Sequence, residues 1–299
     1  MKYFTLILAV LVLLGSQLAC CQITLPSINI DVPSLKVGEM QDEWEEMPLE
    51  GAESATVEIL FGAGELEIKA GDPETDQLFS GHFRYNVEEW EPKVTREGNV
   101  LTIEQGNIED RDWGVPTGTA RNEWELEFSP QIPLEMDLKA GAGEGKLDFT
   151  GLQLAELDLD MGAGDLEVRF DEPNEAKMSR LTLDTGASKL DVIGIGNAGP
   201  EETKVQSGAG DITLDFTGAW RRSADVEITA GAGSITLRLP DDVGVRVEVE
   251  GGLSSVSVSG LDREGDAYVN DAFDDTETEL HIQITVGVGS ISLIEVPND

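Results

Sequence analysis

Leu157-Asp158-Leu159-Asp160-Met161-Gly162-Ala163-Gly164-Asp165-Leu166-Glu167-Val168 reads as two short strands meeting at a glycine corner. Apolar residues alternate with acids on both sides of the corner, and a period of two means a β-strand with one buried face. The same pattern returns along the chain. Val57, Ile59 and Phe61 lead into Gly62-Ala63-Gly64, then Leu66 and Ile68. Leu181 and Leu183 lead into Gly186-Ala187-Ser188, then Leu190 and Val192. Val205 precedes Gly208-Ala209-Gly210, and Val226 and Ile228 precede Gly231-Ala232-Gly233. Val247 and Val249 meet Gly252-Leu253-Ser254, followed by Val256 and Val258. Ile282, Ile284 and Val286 meet Gly287-Val288-Gly289. An eighth copy runs from Met136, Leu138 and Ala140 through Gly141-Ala142-Gly143-Glu144-Gly145 to Leu147 and Phe149. It reads as a corner with two extra residues.

Corners that start at 162, 186, 208, 231 and 252 stand 24, 22, 23 and 21 residues apart. Near-constant spacing marks a solenoid, whose coils bury too little alone and stack on one another. The expected fold is all-β, a β-helix-like solenoid of about eight short coils over 55–296, its parallel strands about 4.8 Å apart. A β-sandwich of hairpins explains the alternation but not the recurring corner. The first corner position is glycine in every copy, which predicts a positive φ there and a close approach of stacked backbones. Two stretches break the period. Residues 71–129 hold Trp90, Trp113, Trp124 and a hairpin signal at Glu97-Gly98-Asn99, and read as a capping insertion. Residues 261–278 are rich in Asp and Glu and read as an acidic loop.

Composition narrows the function. The chain of 299 residues carries 20 Lys plus Arg against 59 Asp plus Glu, a formal charge of −39. Binding nucleic acid takes a surplus of basic side chains to displace counterions from phosphates, so nucleic acid is excluded as a partner. The 40 % of hydrophobic residues suffice for a packed core.

The N-terminus reads as an export signal over 1–20. Lys2 supplies a positive start, and Phe4 to Leu14 is apolar but for Thr5. That run is short of the roughly 20 residues that span a bilayer. The chain's two cysteines end it, in Leu18-Ala19-Cys20-Cys21. This placement resembles the lipobox of bacterial lipoproteins, with Cys20 or Cys21 as the lipidated residue. The expected partner is therefore the bacterial cell membrane, reached from outside through a lipid anchor. Residues 21–54 contain Pro26, Pro33 and Pro48 and a dense run of acids, and read as an extended tether.

Leu78-Phe79-Ser80-Gly81-His82-Phe83-Arg84-Tyr85-Asn86, Asn122-Glu123-Trp124-Glu125-Leu126 and the Gly-Ala-Gly corners resemble the bacterial toastrack domain family. Leu239-Pro240 and Val243-Gly244-Val245-Arg246-Val247 are similar to the C-terminal region of its LiaF-type members, regulators of cell-wall stress signalling. Bacterial adhesin-like proteins share such repeats. The resemblance covers roughly 55–296 and implies a single-stranded, right-handed stack. LiaF-type regulators carry transmembrane helices, and this sequence has no second apolar run of spanning length.

On a solenoid, catalytic or metal-binding groups would stand on the outward positions. The first after each corner reads Glu65, Lys146, Asp165, Lys189, Asp211, Ser234, Ser255, Ser290, with alternating signs that suit cross-strand pairs. The second reads Glu67, Asp148, Glu167, Asp191, Thr213, Thr236, Ser257, Ser292. Asp148, Glu167 and Asp191 would form a like-charge ladder, a weak cation candidate, since three carboxylates supply only part of a calcium shell. His82 and His281 lack metal-ligand spacing, and no nucleophile elbow or phosphate loop occurs. No cofactor and no enzymatic activity are expected. Trp90, Trp113 and Trp124 in the insertion, and Trp220 beside Arg221 and Arg222, are candidate partner contacts, with core packing as the alternative. The expected role is a non-catalytic binding or scaffold module of the envelope, with links to stress sensing. An adhesin or structural protein is the alternative, ahead of a β-helix carbohydrate-active enzyme.

Overall fold

The computed structural model describes residues 34–106 and 115–298. They form sixteen strands: β1 (Ser34–Pro48), β2 (Ala55–Ala70), β3 (Gln77–Val87), β4 (Pro92–Glu97), β5 (Val100–Gln105), β6 (Val115–Thr117), β7 (Asn122–Phe128), β8 (Pro133–Asp148), β9 (Gln153–Arg169), β10 (Arg180–Ile193), β11 (Glu202–Asp215), β12 (Ala224–Pro240), β13 (Gly244–Ser259), β14 (Asp262–Glu264), β15 (Ala267–Val269) and β16 (Glu279–Val296). All join one sheet, in the order β14-β15-β13-β16-β12-β11-β10-β9-β8-β2-β7-β3-β1-β6, with β5 also on β2 and β4 on β5.

Eight long parallel strands, β2, β8 to β13 and β16, make the body, one for each glycine corner. Each has an incoming leg before its corner and an outgoing leg after it. Corners stack in register, so Ala63, Ala142, Ala163, Ala187, Ala209, Ala232, Val288 and Leu253 form one column. Inward residues do the same. Ile59, Leu138, Leu159, Leu183, Val205, Ile228 and Ile284 share a column and are all buried. Each such side chain contributes about 1.5–3 kcal/mol, which is how short coils become stable together.

The corner works differently from the sequence expectation. Gly208, at the first position, does not have a positive φ; Gly210, at the third, does, at 144°. The first position is glycine because a Cβ on Gly208 would stand 2.5 Å from the Gly186 carbonyl oxygen of the next strand. At Gly210 both reasons apply, since a Cβ there would also strike the Ser188 carbonyl oxygen.

The Gly141–Gly145 corner has no insertion. Ala142 stacks on Ala63 and Ala163, so Gly145 occupies the inward place held by Leu66 and Leu166. A residual cavity of about 10 Å³ lies among Leu66, Gly145 and Leu166, because glycine fills less than leucine. Counting Leu147 as the first inward residue after the corner shifts the outward positions by two.

Strand order also departs from chain order at one end, where β16 lies between β12 and β13. Its Gly287-Val288-Gly289 corner seats on β12, with a Cβ at Gly287 only 2.5 Å from the Gly231 oxygen. The β13 corner, with Ser254 in third place, stacks more loosely, 3.2 Å separating a Cβ at Gly252 from the Gly287 oxygen.

The tether assigned to 21–54 ends earlier than expected, because 34–48 is strand β1, antiparallel to β3. Its acids have solvent or partners: Tyr85 donates to Glu43 at 2.8 Å and His82 meets Asp42 at 3.0 Å. Burial, then Glu43, raises the Tyr85 phenol well above its ordinary range. Within the stretch read as a capping insertion, β7 and β3 extend the sheet past β2, around a core of Phe79, Phe83, Trp124 and Phe128. The segment 261–278 carries the β14–β15 hairpin, whose Ala267 is buried and which pairs with residues 246–248.

Candidate functional site

The outgoing legs present one continuous outer face across eleven strands. Its first row runs Asp42, Arg84, Glu123, Glu65, Glu144, Asp165, Lys189, Asp211, Ser234, Ser290, Ser255. Its second runs Trp44, His82, Glu125, Glu67, Lys146, Glu167, Asp191, Thr213, Thr236, Ser292, Ser257. Carboxylates dominate from β1 to β11, and hydroxyls alone follow on β12, β16 and β13.

This register breaks the expected like-charge ladder. Asp148 lies one place further along and faces Arg169, while Lys146 stands between Glu67 and Glu167. Arg169 bonds Glu167 at 3.0 Å, and Lys189 is hydrogen-bonded to Asp191. Each member of the proposed cation trio therefore has a nearby cationic side chain. Among the described residues, no group of three or more His, Cys, Asp or Glu could hold a metal ion.

The acidic half is partly neutralised at its end. Arg84 pairs with Glu123 at 2.7 Å and Lys69 with Glu127 at 3.1 Å, which raises the Lys69 ammonium through that hydrogen bond. Trp44 lies flat on His82, ring centroids 4.2 Å apart, with 65 % of the residue exposed. Sequence reading missed this aromatic, because the acids around it hide the strand period.

Of the predicted tryptophans, Trp124 and Trp220 serve packing. Trp124 is 1 % exposed and meets Phe61 and Phe83 edge-on at 5.1 Å. Trp90 ends a half-buried turn, Glu88–Trp90. Trp220 packs on the core and donates its indole N–H to the Phe216 carbonyl at 2.7 Å, while Arg222 pairs with Glu201 at 3.1 Å. Trp113, Cys20 and Cys21 lie outside the described residues. His281 is on the outer face, as expected, 3.4 Å from Glu279.

On the incoming legs, Asp160 faces Asp184 and Asp137 faces Asp158 across adjacent strands. Burial, then the neighbouring acids, raises the Asp158 and Asp184 carboxyls. A groove of about 440 Å³ runs past Asp160, Asp184 and Gln206.

The family described as the N-terminal domain of toast_rack, DUF2154, matches residues 36–193 and again 174–238. The chain belongs to the toastrack family. Two overlapping matches follow from the repeat, which lets one pattern align in more than one place. Among solved structures, the toastrack chain is similar to a candidate cell adhesion protein from Clostridium sporogenes, at 25 % identity, covering 86 % of this chain and 100 % of that one, TM-score 0.49. A candidate lipid binding protein from Parabacteroides distasonis matches at 12 % identity over 87 % and 99 %, TM-score 0.46. A candidate adhesin from Bacteroides fragilis matches at 10 % identity over 87 % and 100 %, TM-score 0.36. No curated protein matches the chain. No helix among the described residues is long and apolar enough to cross a membrane.

Proposed function

We propose that this toastrack protein is a lipid-anchored, extracytoplasmic module that binds or scaffolds another envelope component and carries no catalytic centre. The observation that supports it most is the eleven-strand outer face, rigid in register and charged along most of its length. Such a surface offers many oxygens to a partner but no water-excluding pocket with a nucleophile and base in reach. The acidic half selects for a basic partner, with a role in envelope stress sensing as the context.

The test is retention of the full chain on its own envelope fraction. Changing Cys20 and Cys21 together to Ser releases the chain from the membrane. Changing Glu65, Glu67 and Glu144 together to Gln weakens capture of the envelope partner, as does raising salt so that the Debye length falls from about 10 Å to about 3 Å. Capture indifferent to both salt and the triple change overturns the acidic-face reading. Capture of a foreign cell surface in place of the envelope moves the protein to the adhesin reading.

A further inference from the structure

Strands near the two ends of the sheet differ in how they are protected. β1 is bonded to β3 along 37–48, and Glu39, Asp42, Glu43, Glu45, Glu46 and Pro48 guard it against strand pairing. β13 is bonded to β16 along its whole length, but β15 covers only residues 246–248 of its other side. Among the described residues, the outgoing leg of β13 therefore has one open backbone edge. Val256 and Val258, at the ends of their core columns, are half-buried where their counterparts Ile291 and Leu293 are fully buried. Leu253 at the corner is 78 % exposed.

Charge decides what can lie there. Residues 251–261, Gly-Gly-Leu-Ser-Ser-Val-Ser-Val-Ser-Gly-Leu, contain no charged side chain in a chain of net charge −39. Two copies meeting over most other surfaces bring carboxylates together. Here they bring none, and a strongly charged partner finds nothing to pair with.

We propose that Ser255–Ser259 is the contact through which two copies of the chain pair, antiparallel, about a two-fold axis. An isologous contact needs a self-complementary strand. The inward faces of both copies stay on one side of the joined sheet when residues of like parity meet. Centring the axis on Ser257 satisfies that. Val256 of each copy then faces Val258 of the other, Ser255 faces Ser259, and the two Ser257 residues face each other. The core columns of both copies close over the valines that one copy leaves half-exposed.

The experiment is sedimentation equilibrium of the full chain, with Ser257→Lys, Ser257→Glu and their equal mixture. Ser257 is exposed, so either change is tolerated by the fold, but like charges then meet across the axis. The expected result is a dimer in the unmodified chain, association weakened about 100-fold or more in each variant, and recovery in the mixture, where Lys meets Glu. Recovery also shows that both variants are folded. A monomeric unmodified chain, a dimer unmoved by both changes, or a mixture that fails to recover each overturns the proposal.

Discussion

The corner of β2 and the corner of β13 sit at opposite ends of the same stack, and each lacks a neighbouring corner on one side. At β2 the missing strand is replaced by two buried amides. Gln105 accepts from the Gly62 N–H at 2.9 Å and from Asn122 at 2.8 Å, and Asn122 donates to the Ala63 carbonyl at 2.9 Å. These residues are 4 % and 2 % exposed. Nothing comparable among the described residues covers the β13 corner, where Leu253 stands in solvent. A stack of identical corners thus needs a side-chain mimic of backbone wherever an end is buried, since an unsatisfied buried group costs about 1–3 kcal/mol. Where the end stays wet, water serves.

The strongest way to break this comparison is to place one side chain at both kinds of corner. Gly208→Val, mid-stack, is expected to cost about 3 kcal/mol or more, because its Cβ meets a neighbouring backbone oxygen that cannot move aside. Gly252→Val, at the open end, should cost less than about half of that. Ala209→Val should cost little, as Val288 already occupies the same column. Denaturant midpoints of the three variants decide it, and equal losses would refute the stacking account of the first glycine.

Next in size is the capped end. Gln105→Ala and Asn122→Ala should each lower stability by about 2 kcal/mol, since each leaves buried corner groups unpaired. Thermal unfolding checks this, with Leu253→Ser at the open end as the contrast, expected within about 0.5 kcal/mol of the parent.

A pH series sharpens the view of the middle of the stack. Asp158 and Asp184 have raised carboxyls, so the folded chain binds their protons more readily than the unfolded chain does. Their contribution therefore favours folding as pH falls through the raised folded values toward the ordinary 3.8, and opposes it above them. Asp158→Asn with Asp184→Asn should be more stable than the parent at neutral pH, the gain shrinking on acidification. A gain independent of pH would point away from titration of this pair.

The smallest expected effect concerns one hydroxyl. Thr203 is fully buried, and among the described residues its Oγ1 has no hydrogen-bond partner. Thr203→Val should raise stability by up to about 1 kcal/mol, read as an increase in Tm.

The repeat was legible because period-two alternation and a glycine corner are local signals that survive in any surroundings. It failed at Gly145, where local pattern matching preferred Leu147 as the first inward residue. In the stack, backbone hydrogen bonds hold the register and leave a small gap there. The cation trio of Asp148, Glu167 and Asp191 failed with it, since a shift of two residues changes which side chains meet. Strand β1 was hidden for another reason. Its acids and Pro48 read as solvated chain, and it is contacts such as those with Tyr85, His82 and the β3 backbone that give them a place in the sheet.

The sequence by itself determined an all-β stack of eight glycine-cornered strands and an acidic exterior, because corner sterics and strand alternation are properties of neighbouring residues. Tertiary structure decided the rest. It set the place of β16 between β12 and β13, the sealing of one end by Gln105 and Asn122, and the division of the outer face into carboxylate and hydroxyl halves. Those features depend on which strands lie side by side, and interstrand hydrogen bonding between segments distant in sequence has no local signature to read.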